Sequence, residues 1–161
     1  MVKTLVVYYS LTGNTKLIAE TIAKTINADI LELKPVKELN PESGTRFMWG
    51  GAQAVMKKKP KLEEFELNPL DYDLIFIGSP VWAWRYTPPI RSFLSQIDLK
   101  GKKILLFMCC AGNGQKAMER FIKALNDLEV IDNIRFQEPL KKNPEEAKKR
   151  AADWAKEVVE R

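Results

Sequence analysis

Histidine is absent from all 161 residues. That removes imidazole acid–base catalysis and histidine metal ligation together. Cysteine is almost absent: the two present, Cys109 and Cys110, are adjacent, which gives neither a disulfide framework nor the spacing of a zinc site. No apolar run approaches the ~20 residues of a membrane-spanning helix. Met1-Val2-Lys3 leads directly into a strand pattern, so no secretory or transit segment is expected. These absences point to the reducing cytosol and away from membranes. They also mean that, if the protein is an enzyme, a cofactor is the natural carrier of its chemistry.

What is present suits one globular domain spanning 1–161. The chain is 45% hydrophobic and 9% aromatic with a net charge of +5, and it contains neither repeats nor a flexible linker. The lysines are dispersed, with small clusters at Lys57-Lys58-Lys59 and Lys141-Lys142. A solvated mixed-charge surface explains them better than a nucleic-acid interface, so no nucleic-acid partner is expected.

Periodicity alternates strand and helix. Apolar strands are predicted at 3–9, 29–34, 73–78 and 103–109, with a weaker one at 133–137. Helical stripes are predicted at 15–27, with Thr15 as N-cap, and at 88–96 and 115–128. A last helix is opened by Asn143-Pro144-Glu145-Glu146 and carries Trp154 as a core residue. Segment 35–70 is irregular, with a short helix expected over Ala52 to Lys58. Strands apolar on both faces and separated by helices imply a doubly wound, three-layer α/β domain. The crossover rule then gathers the loops after its strands on one carboxyl edge.

Three loops share that edge. The first, Ser10-Leu11-Thr12-Gly13-Asn14-Thr15, places hydroxyls and a glycine ahead of a helix. Its backbone amides and the helix macrodipole suit an anion. It matches neither the nucleotide triphosphate loop nor the dinucleotide fingerprint, and a terminal phosphate monoester fits it better. The alternative is a plain helix cap followed by a polar turn. The second, Ser79 to Pro89, carries Pro80, Val81, Trp82, Ala83, Trp84 and Tyr86. Exposed aromatics suit a flat π-system, and the flanking prolines stiffen the loop; the alternative is a lid or an oligomer contact. The third, Cys110-Ala111-Gly112-Asn113-Gly114, is small enough for a ring to lie against backbone. Phosphate at the first loop and a heterocycle against the other two describe flavin mononucleotide (FMN). The Cys109-Cys110 pair reads more simply as one core residue and one loop residue than as a redox couple.

These residues resemble the flavodoxins and flavodoxin-like flavoproteins over essentially the whole chain. The match rests on Ser-x-Thr-Gly-x-Thr at Ser10 to Thr15, Gly-Ser-Pro-Val-Trp at Gly78 to Trp82, and the small loop at Ala111 to Gly114. The resemblance implies a five-stranded parallel sheet of order 2-1-3-4-5, with FMN at the switch point and a phosphate held by neutral donors. It implies electron transfer through FMN, with a redox protein or a small-molecule electron acceptor as partner. Other readings are an NAD(P)H-dependent quinone or flavin reductase and a non-enzymatic FMN-binding or assembly module. Two departures stand out: the chain is basic where electron-carrying members are acidic, and its third loop lacks their usual acidic residue and tyrosine. Trp82 and Trp84 are the candidates to stack on the flavin. Phe47, Met48 and Trp49 either cover a flavin edge or form a homodimer contact.

Overall fold

The computed structural model describes residues 2–38 and 58–161. The Arg46–Gly51 stretch, with Phe47, Met48 and Trp49, lies outside them, as does the short helix expected over Ala52 to Lys58 apart from Lys58 itself. Six strands are formed: β1 (Thr4–Tyr8), β2 (Asp29–Glu32), β3 (Leu74–Trp82), β4 (Arg85–Tyr86), β5 (Lys103–Cys110) and β6 (Glu129–Gln137). The helices are α1 (Asn14–Ile26), α2 (Pro88–Gln96), α3 (Gln115–Ala124) and α4 (Pro144–Val159). Five strands make a parallel sheet of order β2-β1-β3-β5-β6. Counted without β4, this is the expected 2-1-3-4-5. The sixth strand, β4, pairs antiparallel with the end of β3.

Alternation along each strand divides the core. Leu5, Val7, Ile75 and Ile77 point to one face, where Ile90 and Phe93 of α2 and Met118 and Phe121 of α3 cover them. Val6, Tyr8 and Phe76 point to the other, against Ile18 and Ile22 of α1 and Ala151 and Trp154 of α4. Trp154 is core, as expected. Its ring meets Phe76 edge-on at 5.5 Å, and its indole N–H donates to Asp132 Oδ2 at 3.3 Å. Each fully buried side chain of this size stabilises the fold by about 1.5–3 kcal/mol. Both helices of each layer therefore have a large apolar face to bury, and their starts are held at the carboxyl edge.

Three boundaries differ from the sequence expectation. β3 continues through Ser79 and Pro80 to Trp82, so the aromatic stretch is a β-hairpin rather than a free loop. Its two-residue turn puts Ala83 (φ 49°) and Trp84 (φ 59°) in the left-handed region, the geometry that matches the twist of paired strands. α1 begins at Asn14 with Gly13 as its N-cap, not Thr15. β6 starts at Glu129, and an irregularity beside Ile104/Leu105 carries its pairing past Ile131.

Candidate cofactor site

The carboxyl edge of the sheet opens into a cleft of about 340 Å³, within the usual size range of small-molecule sites. Its wall from the first loop is Ser10, Leu11, Thr12, Asn14 and Thr15. The hairpin contributes Pro80, Val81, Trp82 and Ala83, and the end of β5 contributes Cys110 and Ala111. Thus the topology brings the three stretches together. Gly13, Trp84, Gly112 and Gly114 of the expected set do not line the cleft. Gly13 and Gly114 are the left-handed N-caps of α1 and α3 (φ 104° and 70°). Trp84 stands at the hairpin tip, 69% exposed. Two lining residues escaped the sequence reading, Cys109 and Glu138. Cys109 belongs to a strand interior by pattern. Glu138 is found only by noting that it follows the last strand on the same edge.

The start of α1 is arranged as an open donor set. Gly13 N donates to Ser10 Oγ at 3.1 Å, folding the loop back on itself. The first intrahelical bond runs from Leu17 N to Gly13 O at 3.0 Å. The amides of Asn14, Thr15 and Lys16 therefore precede the helical ladder. No side chain caps them, and no acidic residue sits in the first turn. Thr15 is 1% exposed, and its Oγ1 makes no well-formed hydrogen bond, approaching the Cys109 thiol only loosely. A buried unpaired hydroxyl is costly and rare. Among the described residues only three buried side-chain polar atoms share that condition; the other two belong to Arg85 and Arg91. Asn14 turns its Oδ1 to accept from Leu140 N at 3.0 Å, tying the loop after β6 to the start of α1.

The hairpin wall is fixed in advance. Ser79 Oγ accepts from Thr87 N at 3.0 Å, lies 3.0 Å from Thr87 Oγ1 and donates to Pro80 O at 2.8 Å, all at the buried hairpin base. Arg120 Nη1 donates to Trp84 O at 3.0 Å. Tyr9 meets the Trp82 ring edge-on at 5.6 Å, and its hydroxyl donates to Glu38 Oε1 at 2.8 Å. Burial, with the Glu38 carboxylate beside it, pushes the Tyr9 phenol far above its ordinary range. It stays a neutral donor holding the indole. Such bracing lowers the ordering cost of binding a ring.

Cys109 and Cys110 are free and buried. Burial pushes the Cys109 thiol up to about 12, with the Thr15 hydroxyl acting in the opposite direction. Burial also raises Cys110, against the lowering effect of Arg135. Cys110 Sγ donates to Phe136 O at 3.4 Å. Protonated thiols are poor nucleophiles, which fits structural roles in the cleft floor. Among the described residues no cluster of His, Cys, Asp or Glu could hold a metal ion, and no helix is long and apolar enough to cross a membrane.

The comparisons with known proteins agree with this layout. The family model described as Flavodoxin matches residues 3–158. A flavoprotein from Lactobacillus acidophilus NCFM, solved in complex with FMN, is 28% identical with a TM-score of 0.73, covering 88% of this chain and 98% of that one. A candidate flavoprotein from Bacteroides eggerthii DSM 20697 is 22% identical with a TM-score of 0.78, over 99% of each chain. Oxidised flavodoxin 1 from Bacillus cereus is 19% identical with a TM-score of 0.61, over 98% of this chain and 97% of that one. The last two show the fold alone. With nearly its whole length matched by the family model, the chain belongs to the flavodoxin family.

Proposed function

We propose that this chain binds FMN non-covalently in the carboxyl-edge cleft and carries electrons through it. The observation that carries the reading is the buried Thr15 hydroxyl, without a well-formed hydrogen bond, at the uncapped start of α1. A phosphate monoester there would take hydrogen bonds from Thr15, Ser10 and Thr12 and from the free first-turn amides. Charge-assisted bonds of this kind are the strong ones, and the helix dipole adds to them. Among the described residues no lysine or arginine lines the cleft, so the donor set fits one phosphate and not a polyphosphate. The family resemblance and the FMN-bound relative support the same ligand.

FMN, when bound, supplies reversible one- or two-electron redox chemistry. The protein's part is to hold and tune it. Val81, Trp82 and Ala83 offer the wall for the ring system, and Cys110 with Ala111 the opposite end of the cleft. Tyr9 and the Ser79–Thr87 brace keep that wall in place. Among the described residues Glu138 is the one charged side chain lining the cleft. Its carboxylate makes added negative charge there less favourable, which lowers the reduction potential of a bound flavin. A redox protein or a small acceptor would approach at the hairpin tip, where Trp84 is exposed.

Visible absorption of the purified protein during FMN addition, followed by reduction, tests the reading. Perturbed, saturable flavin bands with little bleaching by NAD(P)H are expected of an electron carrier. Rapid NAD(P)H turnover would instead make it a reductase, and unperturbed flavin bands would overturn FMN binding.

A further inference from the structure

On the face of the sheet covered by α2 and α3, a groove of about 570 Å³ runs from the middle of α2 to the segments that follow the two helices. Arg91 lines it. This residue is only 8% exposed, yet among the described residues its side chain has neither an ion pair nor a hydrogen bond, and its Nη1 is buried without a partner. Its guanidinium lies 4.8 Å from the centre of the Tyr86 ring, and Tyr86 stacks on Phe121 at 4.7 Å. A cation held on an aromatic face retains only part of what it loses by leaving water. Buried arginines ordinarily find a carboxylate or phosphate, whose two oxygens match the guanidinium fork. Here the described residues build the floor and supply no anion.

The rest of the groove narrows the ligand's chemistry. Leu94, Ile97 and Leu128 give it an apolar flank, while Lys59 and Lys100 are offset by Asp98 and Asp127. With Arg91, three cations face two carboxylates, which leaves one positive charge to balance. The groove's far end also receives the carboxyl ends of α2 and α3, whose dipoles repel negative charge. Arg91 sits in the first half of α2 and, as helical side chains do, leans towards its start. The favourable end for an anion is therefore at Arg91, and the far end suits an uncharged body. We infer that this groove is a binding site for an amphipathic monocarboxylate, with the carboxylate on Arg91 and the apolar part along Leu94, Ile97 and Leu128. The site is separate from the flavin cleft, and its support does not depend on the flavin reading.

The test is a titration of ¹⁵N-labelled, FMN-saturated protein at constant ionic strength with benzoate, acetate and inorganic phosphate, observing the Arg91 Nε–H resonance. Benzoate is expected to shift that resonance and the amides of residues 94–99 and 125–128 saturably, at concentrations at least tenfold below acetate or phosphate. Arg91→Met should weaken benzoate at least tenfold and, without benzoate, melt no lower than the parent. Arg91→Lys should fall between the two, since it keeps the charge and loses the fork. An Arg91 signal that does not saturate, equal affinity for acetate, tighter phosphate binding, or benzoate binding retained in Arg91→Met each overturns the site. If Arg91→Met fails to fold, the parent titration alone decides. The same signal can be read without flavin, so failure of FMN binding would leave this test standing.

Discussion

α1 and α4 pack against each other on one face of the sheet and both begin at its carboxyl edge, yet they begin in opposite ways. α4 is closed by its own sequence. Asn143 Oδ1 accepts from Glu146 N at 3.2 Å, Pro144 stands at the first position, and Glu145 and Glu146 fill the first turn with negative charge. α1 has a left-handed glycine where a cap would stand, no acid in its first turn, and a buried hydroxyl without a well-formed hydrogen bond. One start serves stability. The other, capped by glycine, forgoes only about a few tenths of a kcal/mol and leaves its donors open, as the proposed phosphate site requires.

The largest expected effect on this contrast comes from stripping α1 of its hydroxyls. Thr12→Ala with Thr15→Val should weaken FMN about a thousandfold, two charge-assisted bonds being removed, while riboflavin binding changes little. Because Thr15 Oγ1 makes no well-formed hydrogen bond in the protein, the flavin-free double variant should melt no lower than the parent. Next comes making α1 resemble α4. Asn14→Asp keeps the acceptor for Leu140 N and puts a carboxylate in the first turn; FMN should weaken about tenfold while the flavin-free protein gains up to ~1 kcal/mol. The reverse change, Asn143→Ala, should cost about 1 kcal/mol by denaturant titration and leave FMN affinity unaltered. The smallest effect is at Glu138→Gln, where relief of like charge should tighten FMN about threefold and raise the flavin potential modestly.

The alkaline limb gives an independent check on buried groups at the two edges of the sheet, Cys109 beside the cleft and Tyr72 at the amino edge. Cys109 and Tyr72 are both raised in the folded state, to about 12, chiefly by burial. For acids raised in this way the unfolded chain loses protons first. Their contribution to stability is therefore complete below the unfolded values near 9–10 and is lost as pH rises towards 12. Chemical denaturation should show constant stability to about pH 8.5 and a steady fall above it, and Cys109 should resist alkylation throughout that plateau.

Much of this was legible because the signals were physical and local. Apolar runs at β1 and β5 fix the buried strands, and Asn143-Pro144-Glu145-Glu146 states its cap outright. The gathering of three loops on one edge follows from the handedness of crossovers. Thr15 was misplaced because a hydroxyl before an apolar stripe ordinarily is the cap; here Gly13 takes that place and frees the hydroxyl. The hairpin was hidden because its turn puts alanine and tryptophan where glycine or asparagine is the usual sign. That same turn carries Trp84 out to solvent while Trp82 stays in the cleft. Glu138 joins the site only through tertiary placement of the last strand.

The central claim is that α1's open start grips a terminal phosphate. Flavin fluorescence quenching with FMN and riboflavin, run side by side on the parent protein, tests it most directly. FMN is expected to bind at least a hundredfold more tightly, and equal affinities would contradict the claim.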